Sequence, residues 1–170
     1  MKFIIRKATI DDAYMLAEIL TKSWRSAYKN IISADELQKH SDVEQRFEMF
    51  QKMLQNPRGE FYIAFDDEIP CGEFMFCKSR DADLPDYAEI VSIYAIEEYW
   101  GKGLGGDMMT AAIQKILEMG YTNILLWVFK DNHQAKKFYE KFGFTLDGSE
   151  KESVFTNKAL EVRYILNLTK

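Results

Sequence analysis

Histidine, cysteine and proline are scarce in this sequence: two, two and three, respectively, in 170 residues. His40 and His133 stand alone, and Cys71 and Cys77 lie six apart with no CxxC pair, so their spacing builds no metal site. Both thiols are expected to be free and buried in a reducing compartment. No apolar run approaches the roughly 18 residues a membrane span needs, which argues against a membrane partner. The opening MKFIIRKATIDD has only three consecutive apolar residues before Arg6, too few for the apolar region of a secretory signal, and the protein is expected to be cytoplasmic. Internal repeats, low-complexity tracts and linkers are also missing, so residues 1–170 read as a single domain.

What is present suits a globular protein. The apolar fraction is 47% and the charged fraction 29%, far from a disordered composition. The net charge of −5 argues against a nucleic-acid partner, which favours a basic face. It favours a cationic substrate only weakly.

The periodicity divides the chain into helices and strands. Phe3 to Ala8 reads as a first strand. Thr9 with Asp12 forms a capping box before a helix with Ala13, Leu16, Ala17, Leu20 and Trp24 on one face. Ser33 with Glu36 and Ser41 with Glu44 predict two more helix starts, the second leading into Phe47, Phe50 and Leu54 and ending near Pro57. Phe61 to Phe65 and Cys71 to Cys77, separated by Asp66-Asp67-Glu68, carry a hairpin signature. Past Pro85, the pattern predicts a strand from Tyr87 to Ile96, a helix from Leu104 to Met119 ended by Gly120, and a strand from Ile124 to Phe129. A helix from Asn132 to Phe142 ended by Gly143 and a strand from Glu161 to Leu168 follow. The whole is an α/β (α+β) chain with a mixed sheet.

The most informative segment is Trp100-Gly101-Lys102-Gly103-Leu104-Gly105-Gly106, with four glycines in six positions between a strand and a helix. Glycine permits close backbone approach, and a helix N-terminus offers unpaired N–H groups, which together suit phosphate. A ligand-free glycine turn is the plain alternative. A P-loop is excluded, because Asp107 and Met108 follow Gly106 where Lys and Ser or Thr are required. Gly101-x-Gly103-x-x-Gly106 satisfies a dinucleotide fingerprint with Asp131 as the later acid, but Glu97 to Trp100 separate it from its strand.

A third reading comes from resemblance. Ala88 to Leu146 resembles the core of the GCN5-related N-acetyltransferase (GNAT) superfamily. Trp100-x-x-Gly103-x-Gly105 is similar to that family's pyrophosphate loop, with Trp where Arg or Gln is usual. Asn132-x-x-Ala135-x-x-x-Tyr139 followed by Gly143-Phe144 resembles its second motif. Ser23-Trp24-Arg25-Ser26-Ala27-Tyr28 and Asn30-Ile31-Ile32 resemble a subgroup more loosely. The resemblance implies a V-shaped central sheet with helices on both faces, in which two parallel strands splay around the acyl-CoA arm.

It also implies an acetyl-CoA-dependent N-acetyltransferase that moves an acetyl group to a primary amine by direct attack in a ternary complex, with acetyl-CoA as co-substrate and no metal. The acceptor is a small-molecule or peptide amine, and a homodimer is left open. An acyl-CoA sensor without catalysis is the alternative, with a dinucleotide-binding protein behind it. By the same resemblance, coenzyme A is held by Ile93, Tyr94 and Ala95 at the splay, by Gly101, Lys102, Gly103, Leu104, Gly105 and Gly106 in the loop, and by Asn132, Ala135 and Phe138.

Glu89 is the candidate general base and Tyr139 the candidate general acid. Each also has a plain reading: a solvated strand carboxylate for Glu89, a core phenol beside Phe138 and Phe142 for Tyr139, and a helix cap for Asn132. The acceptor pocket is expected between Trp24 to Leu37 and Asp147 to Ala159, where Trp24, Tyr28, Asp35 and Glu36 are able to hold a cation.

Overall fold

In the computed structural model, which describes residues 3–156 and 159–168, the first strand is β1 (Ile4–Lys7). It feeds a single 3-10 turn and then α1 (Ala13–Tyr28). The predicted cap forms there. The Thr9 N–H and hydroxyl donate to Asp12 Oδ2 at 2.7 and 3.2 Å, and Arg6 closes on both Asp12 oxygens at 2.7 Å. The pair with Arg6 holds the Asp12 carboxyl below the usual range.

Ser33 caps α2 (Ala34–Lys39), accepting from the Glu36 N–H at 3.3 Å. The cap of α3 (Val43–Gln55) is Asp42 rather than the expected Ser41: Asp42 Oδ1 accepts from the Gln45 N–H at 3.1 Å. Ser41 turns back instead and donates to the Leu37 carbonyl at 2.6 Å.

The hairpin is β2 (Glu60–Asp66) and β3 (Ile69–Lys78), turning through Asp67 at φ 51°. There follow β4 (Ala88–Ala95), α4 (Leu104–Glu118), β5 (Asn123–Phe129) and α5 (His133–Lys141). Gly120 and Gly143 stop α4 and α5 at φ 89° and 87°, a left-handed backbone that glycine tolerates without strain.

One expectation is corrected. Between Gly143 and Glu161, where the pattern predicts no element, lies β6 (Thr145–Glu152), which pairs with β7 (Leu160–Asn167). β6 is polar and mostly exposed, and its register shifts between Leu146 and Glu150 around Gly148 at φ 91°. An edge strand of this kind carries no apolar alternation to read. Residues 157–158 of the same segment lie outside the described residues.

The seven strands form one sheet in the order β1-β2-β3-β4-β5-β7-β6. Among the described residues β4 and β5 are its one parallel pair, matched only over Ala88–Ile90 and Ile124–Leu126. Beyond Ile90 the two strands part, and β4 carries a bulge where Met75 faces Ser92 but Phe76 faces Ile90. Helices cover both faces, as the resemblance implied. Phe74, Phe76 and Gly72 point towards α4, where Gly72 leaves no room for a Cβ against Met108 Sδ. Glu73, Ser92 and Tyr94 point the opposite way, towards α1 and α3.

The Asp12 cap ties β1 to α1 and is nearly inaccessible to solvent. Asp12→Ala is expected to cost about 1–2 kcal/mol, the scale of a lost helix cap. The check is a lower urea midpoint with unchanged m-value; an unshifted midpoint would show that the Arg6–Asp12 pair contributes nothing.

Candidate active site

The glycine loop closes on α4 as a left-handed turn. Gly101 and Gly103 sit at φ 73° and 95°, and Gly103 is the N-cap. The first helical bond runs from the Asp107 N–H to the Gly103 carbonyl at 3.0 Å, so the N–H groups of Leu104, Gly105 and Gly106 have no partner within the helix. A Cβ built at Gly101, Gly103 or Gly106 meets nothing within 4 Å. The space outside the loop is therefore open, and the cradle fits a bulky anion such as a pyrophosphate.

Trp100, the departure from the family pattern, acts as a strut. Its indole N–H donates to the Ala95 carbonyl at 2.8 Å, fixing the loop to the end of β4. Lys102 lies over the Tyr99 ring, 5.3 Å from its centroid.

Gly105 brings α5 against α4, since a Cβ there lies 3.3 Å from Phe138. Asn132 caps α5 by accepting from the Ala135 N–H at 3.1 Å, so its plain role is met. Tyr139, two turns into α5, packs on Phe138, Phe144 and Tyr164. Its hydroxyl is sunk near Tyr94, and burial pushes the phenol above its usual range.

On the α1 side, an aromatic wedge meets both strands of the splay. The Tyr28 ring of α1 stands edge-on to Tyr94 of β4 at 6.3 Å and to Phe129 of β5 at 4.9 Å. The Tyr28 and Tyr94 hydroxyls bond at 2.7 Å, and either can be the donor. Burial drives Tyr94 up to about 12 and Tyr28 well above its ordinary value, so both stay protonated across the neutral range. The loop, the splay and Tyr139 thus converge. Glu89 does not join them: five residues before Tyr94, it sits roughly 15 Å away along the strand.

Glu89 is 2% exposed and points to the α1 side. Both of its oxygens are committed to Arg80, whose Nη2, Nε and backbone N–H donate at 2.6, 3.0 and 3.1 Å. The Arg80 side chain is itself 61% exposed, so the pair can open towards solvent.

Two features escaped the sequence. Arg163 on β7 gathers Asp81, Asp83 and Asp147 at 2.9, 2.7 and 2.7 Å and ties the loop before β4 to the edge hairpin. Glu73 on β3 is 1% exposed; its Oε2 accepts from Ser92 at 3.0 Å, and its Oε1 has no partner among the described residues. Burial raises the Glu73 carboxyl to about 8, opposed by the Ser92 bond and the charge of Arg46. An acid inside the apolar run Cys71–Cys77 was the signal available for it.

The expected acceptor region contains a cavity of about 340 Å³ between the α1–α2 connection and the end of β5. Ile31, Ser33, Glu36, Asp131 and Ala159 help to line it.

The Acetyltransferase (GNAT) family model matches residues 14–144, and the chain belongs to that family. It is similar to a spermidine N(1)-acetyltransferase of Thermoplasma acidophilum, 25% identical over 167 residues that cover 95% of this chain and 99% of that one. A mycothiol acetyltransferase of Corynebacterium aurimucosum is 37% identical over 73 residues, which span 43% of this chain and 24% of that protein's length. Among solved structures, the PaiA N-acetyltransferase of Thermoplasma acidophilum in complex with coenzyme A shares the fold, with a TM-score of 0.75 at 22% identity over 96% of this chain and 98% of that one.

Glu73 gives the site a measurable signature. In the unfolded chain this carboxyl ionises in the ordinary range near 4.3; in the folded protein it does so near 8. Between those values the folded state holds the extra proton, so stability falls as pH rises through that window and is level above it. Glu73→Gln removes the penalty. The variant is expected to melt higher than the parent at pH 9, with the gap shrinking towards pH 5; an equal gap at both would mean that burial does not perturb Glu73.

Proposed function

We propose that this chain, as one acyl-CoA N-acyltransferase domain, transfers the acetyl group of acetyl-CoA to a primary amine by direct attack within a ternary complex. The observation that carries this reading is the glycine-walled N-terminus of α4 opening beside the β4–β5 splay, with the Tyr139 phenol beneath it. The unpaired N–H groups of Leu104 to Gly106 face the pyrophosphate, and the strand edge of Ile93 to Ala95 holds the pantetheine arm. The acceptor enters through the cavity near Ser33 and Glu36. Similarity to a spermidine acetyltransferase over nearly the whole chain supports an amine there.

The residues divide the chemistry. Glu89, at the paired end of β4 and β5 and roughly 15 Å along the strand from Tyr94, accepts the proton that frees the amine lone pair through a chain of waters, once Arg80 swings outward. The nitrogen forms a bond to the thioester carbon and becomes cationic; it gives its second proton to water, and the C–S bond then breaks. Tyr139, held protonated by its burial, gives its proton to the departing sulfur and regains one from solvent.

Thiol release from acetyl-CoA with a panel of amines tests the reading directly; coenzyme A binding with no thiol release would make the chain a sensor. Two variants separate the parts. Tyr139→Phe is expected to lower kcat on the order of 10²-fold with acetyl-CoA affinity held, since the proton is needed mainly in the transition state. Full activity in a stable variant would remove Tyr139 as the acid. Gly106 has an ordinary φ and open space at its Cβ position, so Gly106→Val is expected to fold normally but to lose at least about tenfold in coenzyme A affinity by calorimetry. Unchanged affinity would take the loop out of the site.

A further inference from the structure

Glu73 has no part in the scheme above, yet it lies under the same hydroxyls. It is the cross-strand partner of Tyr94, on the same face of the sheet, and its negative charge opposes ionisation of that phenol. Its Oε1 is buried without a partner among the described residues. The cation whose charge acts on it, Arg46 of α3, donates instead to Thr21 Oγ1 at 3.3 Å and lies over the Trp24 ring at 4.9 Å.

We propose, on the transferase reading above, that Glu73 is a positioning residue for the acceptor: through Tyr94 it sets which of the two bonded hydroxyls donates, and so whether Tyr28 offers the acceptor amine a lone pair. The groups facing this pair are few. β4 brings Ser92 and Tyr94, α1 brings Tyr28, Arg25 and the Trp24 indole, α3 brings Arg46, α5 brings Tyr139, and β7 brings Glu161. β2 sets only the apolar Ile63 opposite Glu73.

Two carboxyls therefore compete for one direction of the Tyr28–Tyr94 bond. Glu161 acts on Tyr28, and its other partner is the loose pair with Lys151 at 3.8 Å. With Glu73 neutral, Glu161 draws the Tyr28 O–H towards itself, Tyr94 donates to Tyr28, and the Tyr28 hydroxyl is occupied as both donor and acceptor. With Glu73 ionised, Tyr94 turns its O–H towards the carboxylate and Tyr28 donates to Tyr94. That leaves both the Tyr28 lone pair and the Glu161 carboxylate for an N–H donor. The acceptor class this selects is a protonated alkylamine, bound better once Glu73 carries its charge.

The test follows the acceptor KM with n-butylamine, whose ordinary pKa near 10.4 keeps it cationic from pH 6.5 to 9. In the parent protein KM for n-butylamine is expected to fall about tenfold over that interval, one unit of differential interaction, with KM for acetyl-CoA held within about twofold. In Glu73→Gln the acceptor KM is expected to stay flat, while kcat follows pH as in the parent; Glu73→Asp restores the fall. A parent-like fall in Glu73→Gln, or a flat parent profile, overturns the assignment. Carbon-13 NMR of the glutamate carboxyls supplies an arm that needs no turnover: one resonance should titrate near 8, vanish in Glu73→Gln, and move to lower pH on adding n-butylammonium. Absence of thiol release with every amine would sink the transferase reading, and Glu73 is then decided by the NMR arm, where no resonance titrating near 8, or one that n-butylammonium leaves in place, overturns it.

Discussion

β4 and β5 run in register for only three residue pairs before they separate, and the rest of the site is arranged around that divergence. A strand that leaves its neighbour exposes a row of N–H and C=O groups, each costly to bury without a partner. On its other edge β4 remains tied to β3 as far as Ala95, so the strand stays rigid while its free edge faces the gap. The Trp100 indole satisfies one of these groups, the Ala95 carbonyl. The aromatic wedge of Tyr28 against Tyr94 and Phe129 keeps the strands apart without filling the gap with backbone. What remains is an extended edge that an amide-containing arm can pair with, leading to a helix N-terminus suited to phosphate.

The sheet separates tasks by face. Towards α4, the rings of Tyr62, Phe74 and Phe76 stack and the side chains of Met108 and Ile116 are fully buried, so that side is a dry support for the loop. Towards α1 and α3, the same strands present Glu73, Ser92, Glu89 and Tyr94. The bulge in β4 keeps this alternation intact across a local shift in register. That side of the sheet is accordingly polar and partly buried, where charge interactions are stronger than in water.

How much of this was legible in the sequence follows from the range of each interaction. Local signals survived well: the caps at Asp12 and Ser33, the hairpin at Asp67 and the helix stops at Gly120 and Gly143 depend on residues within a few positions of one another. The cap of α3 was displaced by one residue, because Ser41 had an alternative acceptor in the Leu37 carbonyl. β6 was invisible, since an exposed edge strand of polar residues has no apolar face. The partner of Glu89 could not be read either, as nothing local says that Arg80 returns across a loop to grip it. Nor could the gathering of three aspartates on Arg163, two of which, Asp81 and Asp83, lie about eighty residues away.

Glu89 and Glu73 show how differently one strand pair treats two buried carboxyls. Arg80 meets Glu89 with a bidentate grip, so that charge is compensated where it sits. Glu73 receives one hydroxyl bond and a distant guanidinium, and burial outweighs both. An acid held this way destabilises the folded state at neutral pH, and a neutral isostere of the same shape would avoid most of that cost. Stability alone therefore does not account for a carboxyl at position 73. It is the cross-strand neighbour of Tyr94, and Tyr94 is bonded to Tyr28, whose ring meets both β4 and β5. A proton gained or lost at Glu73 is felt by that hydroxyl pair, which lies where β4 and β5 part.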